Sequence, residues 1–251
     1  MSTKLLKVKG IVVKEVPYGE SDKIITVLTE NLGLIAAIAK GAKKTKSALL
    51  ASSQYLVYSE FVLFKGTSFY HVNSAETINV FYNLKIDYEK LEKIYPLTRA
   101  ICFLMNEDID SSEILKTFLN TLYFINEGKK NIDELVNIFR IRLIKCLGFF
   151  PNVKLCSSCR ENLDEKNANK VYYDYVSNIF LCEDCTSDKN SRMLMLPKPC
   201  YKYIMYISLL DINKIFGISL KEDYIGYLDK FGQALIDCVS NSYWFFEYIM
   251  I

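Results

Sequence analysis

The chain has 251 residues, of which 51% are hydrophobic and 24% are charged, and its formal net charge is +2. This composition is typical of folded proteins with a sizeable core and excludes an intrinsically disordered chain. At about 150 residues per domain, the length favours two domains. Apolar runs fall far short of the roughly 18 residues of a membrane span, and lysines interrupt the N-terminal apolar positions, so we expect a soluble protein without a secretion signal.

From residue 4 to 77, short runs rich in Val, Ile, Tyr and Phe alternate with turn residues. Five short strands with one long polar loop, residues 41–54, fit a small Greek-key barrel of the oligonucleotide-binding (OB) type, although the pattern alone does not separate it from other small barrels. The predicted strands are residues 4–15, 22–29, 33–40, 55–64 and 69–77.

After about residue 80 the apolar period becomes helical. The stretch 87–105 contains Pro96, which should kink or split its helix. Two further helices follow a capping-box pattern, in which a polar residue precedes a Glu by three positions. These pairs are Asp110 with Glu113 and Asn131 with Glu134. The sequence therefore predicts an α+β multidomain protein, with an OB-type barrel at 1–80 and an all-helical domain at 81–251.

Four of the eight cysteines form two CxxC pairs that are 22 residues apart. Two such knuckles complete a tetrahedral site of four thiolates, which leaves no position for water and therefore holds a structural zinc. We expect one zinc in an inserted module at about 153–190, within which a hairpin turns at Ser177–Asn178. Four buried free thiols and a redox-active CxxC are the alternatives. The predicted ligands are Cys156, Cys159, Cys182 and Cys185.

The remaining cysteines, Cys102, Cys146, Cys200 and Cys238, stand alone, and we expect them to fill the core as small apolar residues. Eight cysteines without a secretion signal also indicate a reducing compartment, the cytoplasm.

A basic segment follows the third predicted strand. Residues 40–47, KGAKKTKS, place lysines beside small residues that let a nucleic-acid backbone come close. Residues 1–66 contain ten lysines and five acidic residues, so a polyanion should bind in this part of the chain. A solvated, mobile loop is the alternative. The predicted DNA-binding residues are Lys40, Lys43, Lys44, Lys46 and Lys23.

Common catalytic motifs are missing from the sequence. His71 is the only histidine and lies in a predicted strand, where we expect a partly buried, hydrogen-bonded structural residue. The chain has neither a G-x-S-x-G motif nor a dinucleotide-binding fingerprint. The sequence therefore predicts a protein that is not an enzyme.

Residues 10–47, with the YGESD turn at 18–22 and the AKGAKKTKS loop at 39–47, resemble the start of the bacterial RecO recombination mediators. FRIRLIKCLGFFPN at 139–152, followed by the CxxC pairs, is similar to the same family. The resemblance covers nearly the whole chain. It implies an OB barrel followed by a helical domain that carries the zinc module.

The resemblance further implies a function in DNA repair and recombination. Members bind single- and double-stranded DNA, anneal complementary strands, and work with RecR to load RecA onto strands coated by single-stranded-DNA-binding protein. The four lysines of residues 40–47 match the family's basic loop. Arg140 and Arg142 match basic positions in the helical domain, where internal ion pairs are an equal alternative. A zinc-containing interaction scaffold without DNA binding is the alternative function.

Overall fold

The computed structural model describes residues 5–186 and 192–249, with side chains up to residue 240. The chain divides into two compact units, Met1–Glu127 and Gly128–Ile251. The division lies inside the region that the sequence assigns to a helical domain, so the limits 1–80 and 81–251 stay a prediction.

The first unit contains a closed five-stranded barrel with the strand order β1-β2-β3-β5-β4. All pairs are antiparallel except β3 with β5, which pair in parallel, and β1 pairs with both β2 and β4. This arrangement confirms the predicted OB-type barrel. The strands are β1 (Leu5–Tyr18), β2 (Asp22–Thr29), β3 (Leu34–Ala39), β4 (Tyr58–Lys65) and β5 (Tyr70–Asn79).

Alternation of apolar and polar residues fixes which side of each strand faces the barrel interior. The interior residues have at most 9% of their surface exposed, and a short helix, α1 (Leu49–Ser52), adds Leu49 to the same core. They include Val8, Val12, Ile25, Val27, Ile35, Ala37, Ala39, Phe61, Leu63 and Val72.

Three helices complete the first unit: α2 (Tyr82–Lys85), α3 (Tyr88–Leu104) and α4 (Ser112–Glu127). Helix α3 continues through Pro96, so the predicted split does not occur. A proline removes only one backbone donor, and the buried stripe of Ile94, Leu97 and Ile101 holds the helix on both sides of it. Asp87 caps α3 by accepting a hydrogen bond from the backbone N–H of Lys90.

The second unit combines helices with a small antiparallel sheet of order β7-β6-β8. Its elements are α5 (Ile132–Cys146), β6 (Lys170–Asp174), β7 (Ile179–Cys182), β8 (Met193–Pro197), α6 (Lys198–Leu209), α7 (Ile212–Ile215) and α8 (Ile225–Ile249). The hairpin β6–β7 turns where predicted: Asn178 has a φ of 54°, and Asp174 Oδ1 accepts from the backbone N–H groups of Val176 and Ser177.

Helix α5 begins with the predicted cap, because the Asn131 side chain accepts from the N–H groups of Asp133 and Glu134. Glu134 does not complete the capping box. Its carboxylate is buried, pairs with Lys130 at 3.2 Å, and accepts hydrogen bonds from Tyr203 Oη and Leu220 N. The Glu134 side chain therefore makes tertiary contacts instead of the capping-box contact that the sequence pattern predicted.

Among the described residues, none of the helices combines the length and apolar character needed to cross a bilayer.

Candidate metal centre and nucleic-acid interface

The two CxxC pairs come together in the second unit. Their four Sγ atoms lie within 4.8 Å of one another, and those of Cys159 and Cys182 are 3.7 Å apart. A tetrahedral zinc with Zn–S bonds of about 2.3 Å has an S–S edge of about 3.8 Å, so the spacing fits this ion. All four donors are sulfur, which zinc accepts in closed structural sites.

Backbone hydrogen bonds join the two knuckles. Cys182 N donates to Cys156 Sγ at 3.4 Å, and Ser157 N donates to the Phe180 carbonyl at 2.9 Å. Burial raises the pKa of Cys156, but N–H groups of Cys182, Cys159 and Ser158 outweigh it and lower that pKa to about 6. These donors favour a thiolate, the form that binds metal.

Two of the neighbouring thiols have raised pKa values, because each thiolate would add negative charge close to the other sulfur atoms. The N–H of Glu161 lowers the pKa of Cys159, but burial and the other three thiols raise it to about 12. Contacts with Ser158 and Cys159 lower the pKa of Cys185, but Cys182, burial and Cys156 outweigh them and raise it. Four thiolates can share this space only with a cation among them.

Lys166 supplies a positive charge beside the cluster. Its Nζ lies 3.3 Å from Cys182 Sγ and 2.7 Å from Asp184 Oδ2, and it also pairs with Glu161. The bonds to Asp184 and Glu161 raise the pKa of Lys166 well above its usual range, so the amine stays protonated.

The other cysteines differ in burial. Cys200 is fully buried, as predicted for a core residue, and burial raises its pKa to about 12. The remaining three, Cys102, Cys146 and Cys238, are partly exposed, so the prediction that all four fill the core was too broad.

The basic segment, residues 40–47, forms an ordered turn, which we call the lysine turn. Asp22 Oδ1 accepts from Gly41 N at 2.7 Å, the Ser21 carbonyl accepts from Lys43 N at 2.9 Å, and Ala42 is buried in the barrel core. Gly41 has a φ of +67°, a conformation that favours glycine. The hydrogen bond from Gly41, with smaller effects of nearby lysines, lowers the pKa of Asp22.

The side chains of Lys40, Lys43, Lys44 and Lys46 are exposed on this turn, with Lys43 Nζ also contacting the Gly19 carbonyl at 3.3 Å. Lys23 is placed differently. It lies opposite the buried Ala39, its side chain is only 16% exposed, and its Nζ pairs with Glu15 at 2.6 Å. Its contact with DNA stays a prediction.

Arg140 and Arg142 are buried within the second unit. Arg140 donates to Asp229 Oδ1 at 2.9 Å and to Asn137 Oδ1 at 3.0 Å, and Arg142 donates to the Ile207 and Leu210 carbonyls. Of the two alternatives, internal contacts are the ones that the structure shows.

One surface feature was not anticipated from the sequence. Five outward-facing residues on adjacent strands stand in one cross-strand register, and we call them the apolar row: Val16, Ile24, Ile38, His71 and Phe64. His71 stacks on Phe64, with ring centroids 4.9 Å apart and planes 12° from parallel. The expected hydrogen bond of His71 is not formed by Nδ1, which is buried and lacks a partner within the described part of the chain. Alternation within each strand predicts the outward face, but only the register brings the five together.

Comparison with known proteins matches both regions to one family. Residues 1–81 match the model described as recombination protein O N terminal, and residues 77–241 match recombination protein O C terminal. The chain belongs to the RecO family. Similar relatives are the DNA repair proteins RecO of Acetivibrio thermocellus (35% identity, 91% of this chain, 89% of the relative) and Clostridium acetobutylicum (32%, 87%, 86%). The cysteine cluster lies within the region of the RecO C-terminal model, and the lysine turn lies within that of the N-terminal model.

Proposed function

We propose that this RecO-family chain is a DNA repair and recombination mediator that binds single- and double-stranded DNA through the lysine turn and Lys23. The observation that carries the proposal is the set of four exposed lysines held on an OB-type barrel. The relatives that the chain resembles are named DNA repair proteins. Within this proposal, residues 1–80 bind DNA, and residues 81–251 form the helical domain with the module at 153–190.

Charge neutralisation links binding to strand annealing. Each lysine that contacts a phosphate releases condensed counterions, which favours binding on every sequence alike. A strand neutralised in this way repels a second strand less, so complementary strands can approach and pair. Annealing and loading of a recombinase onto protein-coated strands need no catalytic residue. RecR and single-stranded-DNA-binding protein are the proposed partners, and the cytoplasm, at the nucleoid, is the proposed location.

The same proposal includes one structural zinc bound by Cys156, Cys159, Cys182 and Cys185. The support is the sulfur spacing, the N–H···S bonds and the cation Lys166 beside the cluster. A zinc with four protein ligands supplies folding free energy and keeps no open coordination position.

The lysine turn is tested by replacing Lys40, Lys43, Lys44 and Lys46 together with Ala. Each contact to a single strand releases about 0.7 of a counterion, so the plot of log affinity against log salt should flatten by about 2 to 3 units. Strand annealing should fall in parallel. Fluorescence anisotropy with labelled oligonucleotides at several salt concentrations measures the slope.

A control variant removes the same charge elsewhere, from the exposed residues Lys116, Lys170, Lys214 and Lys230. Its salt slope should match that of the parent. An unchanged slope in the lysine-turn variant, at an unchanged melting temperature, would rule out the turn as the binding surface. If the parent itself binds no DNA, the scaffold alternative holds.

A further inference from the structure

We propose that the apolar row is a stacking surface for unpaired bases, with the Phe64–His71 pair as its platform. The barrel then holds single-stranded nucleic acid by base stacking as well as by charge. This inference rests on the proposed DNA binding and adds the part of the ligand that is recognised, the exposed face of a base.

The register of the barrel makes the row continuous. Ile24 lies opposite Val16 on one side and Ile38 on the other, and His71 lies opposite both Ile38 and Phe64. Directly opposed residues point to the same face of a sheet, and neighbouring strands are about 4.8 Å apart. The row is therefore a continuous apolar strip across the barrel, to which each of the five strands contributes one residue.

The strip faces outward. The sequence neighbours of its members point into the barrel: Ile25 follows Ile24, Ala39 follows Ile38, and Val72 follows His71, and all three are buried. Val16 is 42% exposed, and the other four members are partly exposed. No described charged residue belongs to the row.

The aromatic pair gives the strip a stacking geometry. The stack uses one face of each ring. In the strand register, Ile38 is the neighbour of His71 on the side away from Phe64. A base above Ile38 could therefore continue the stack. Aromatic side chains bind bases of any sequence in this way, because every base has a π face.

Charge complementarity identifies the occupant as a nucleic acid. Lys40 follows Ile38 by two positions and begins the lysine turn, so the four exposed lysines follow the strand that provides the middle member of the strip. Asp22, two residues before Ile24 on β2, accepts the Gly41 N–H. Beyond Ile38, the opposed pair Thr26 and Ala36 is small and leaves room for a base. An apolar strip with cations beside it is the pattern of single-strand binders, whose phosphates and bases are held separately.

The lysine turn and the apolar row should differ in whether they distinguish single-stranded from double-stranded DNA. Lysines attract the phosphates of single and double strands alike. A duplex keeps its base faces stacked inside the helix, so the aromatic pair can contribute only to binding of a single strand. The row therefore gives the barrel a preference for unpaired DNA.

The test replaces Phe64 and His71 with Leu, which keeps apolar bulk and removes both π faces. Affinity for a labelled oligothymidine should fall by at least about fivefold, the lower end of the effect of losing one stacked base. Affinity for a duplex of equal length and for an abasic strand should not change, and the salt slope should match that of the parent. Phe64→Trp should keep or raise affinity for oligothymidine.

Tyr88→Leu is the matched control, because Tyr88 is 78% exposed on α3 and lies outside the row. Equal losses of affinity for oligothymidine, duplex and abasic strands would mean that the Phe64–His71 pair affects binding only by stabilising the fold. Unchanged oligothymidine affinity in the double Leu variant would mean that bases lie elsewhere or that a protein covers the row. Either result overturns the inference, whereas the proposed DNA binding falls only if the lysine-turn variant keeps its salt slope.

Discussion

Lys166 places a positive charge beside the cysteine cluster and offsets part of its negative charge. A divalent ion with four thiolates has a net charge of −2, and Lys166 Nζ lies 3.3 Å from one of these sulfur atoms. The amine also holds Asp184 and Glu161, two carboxylates that would otherwise add to the negative charge. Replacing a residue that supports metal ligands from outside the coordination shell typically lowers metal affinity by roughly 10- to 100-fold.

We therefore predict that Lys166→Met weakens zinc binding by about tenfold or more. Competition with a chromophoric chelator measures the change. Lys170→Met is the control, because Lys170 is exposed at the start of β6, in the same module. Equal zinc affinity in the two variants would show that Lys166 has no effect on the metal.

Helices α5 and α8 approach closely at Gly232. A Cβ atom at this position would lie 2.0 Å from Asn137 Oδ1. The Asn137 side chain cannot easily move, because it accepts from Arg140 and donates to the Asp133 carbonyl and to Asp229 Oδ1. The absence of a side chain at Gly232 therefore lets a polar network form between the two helices.

Gly232→Ala should lower the free energy of unfolding by about 1 to 3 kcal/mol, the usual cost of overpacking a close contact. The midpoint of denaturant unfolding measures this change. Gly226→Ala in the same helix is the control, since a Cβ there meets nothing within 4 Å and alanine favours helix over glycine. If Gly232→Ala is as stable as Gly226→Ala, the helices are not held at this distance.

The individual strands of the barrel follow from local pattern, and the contacts between them do not. Alternation located all five strands to within a few residues, because each buries one face. The stacking of Phe64 on His71 depends on the register of β4 with β5, which a single strand does not encode. In the same way, the low exposure of Lys23 depends on the register that places it opposite Ala39, and a partner of Glu134 is Tyr203, in a different helix.

The cysteine cluster was the most predictable part of the site, because two knuckles and a hairpin are local structures. What the sequence did not indicate is how the module joins the helices. Rings from β6, β7, α6 and α8 pack together in one cluster, which consists of Tyr173, Phe180, Tyr201 and Phe231. At the scale of the second unit, the hairpin that leads into the second CxxC pair and the helices therefore share one core.

Zinc removal should consequently affect more than the knuckles. We predict that Cys182→Ser, or a strong chelator, increases amide hydrogen exchange in β6 and β7 and in the facing part of α8, because a structural zinc contributes folding free energy. Strands β2 and β3, which belong to the barrel, should keep their protection and serve as the internal reference. Cys102→Ser should retain one zinc per chain. Unaltered exchange in β6 and β7 after metal loss would contradict a structural role.

The hydrogen bond from Gly41 to Asp22, together with the burial of Ala42, has a consequence for the rate and cost of binding. Fixing the backbone of one residue costs about 1 to 2 kcal/mol of conformational entropy. The lysine turn loses that freedom when the protein folds, so it is not lost again when DNA arrives. If the lysine turn binds DNA as proposed, encounter should then depend on electrostatic steering and diffusion, without a slower ordering step, and the lysines should act as a pre-organised set of charges.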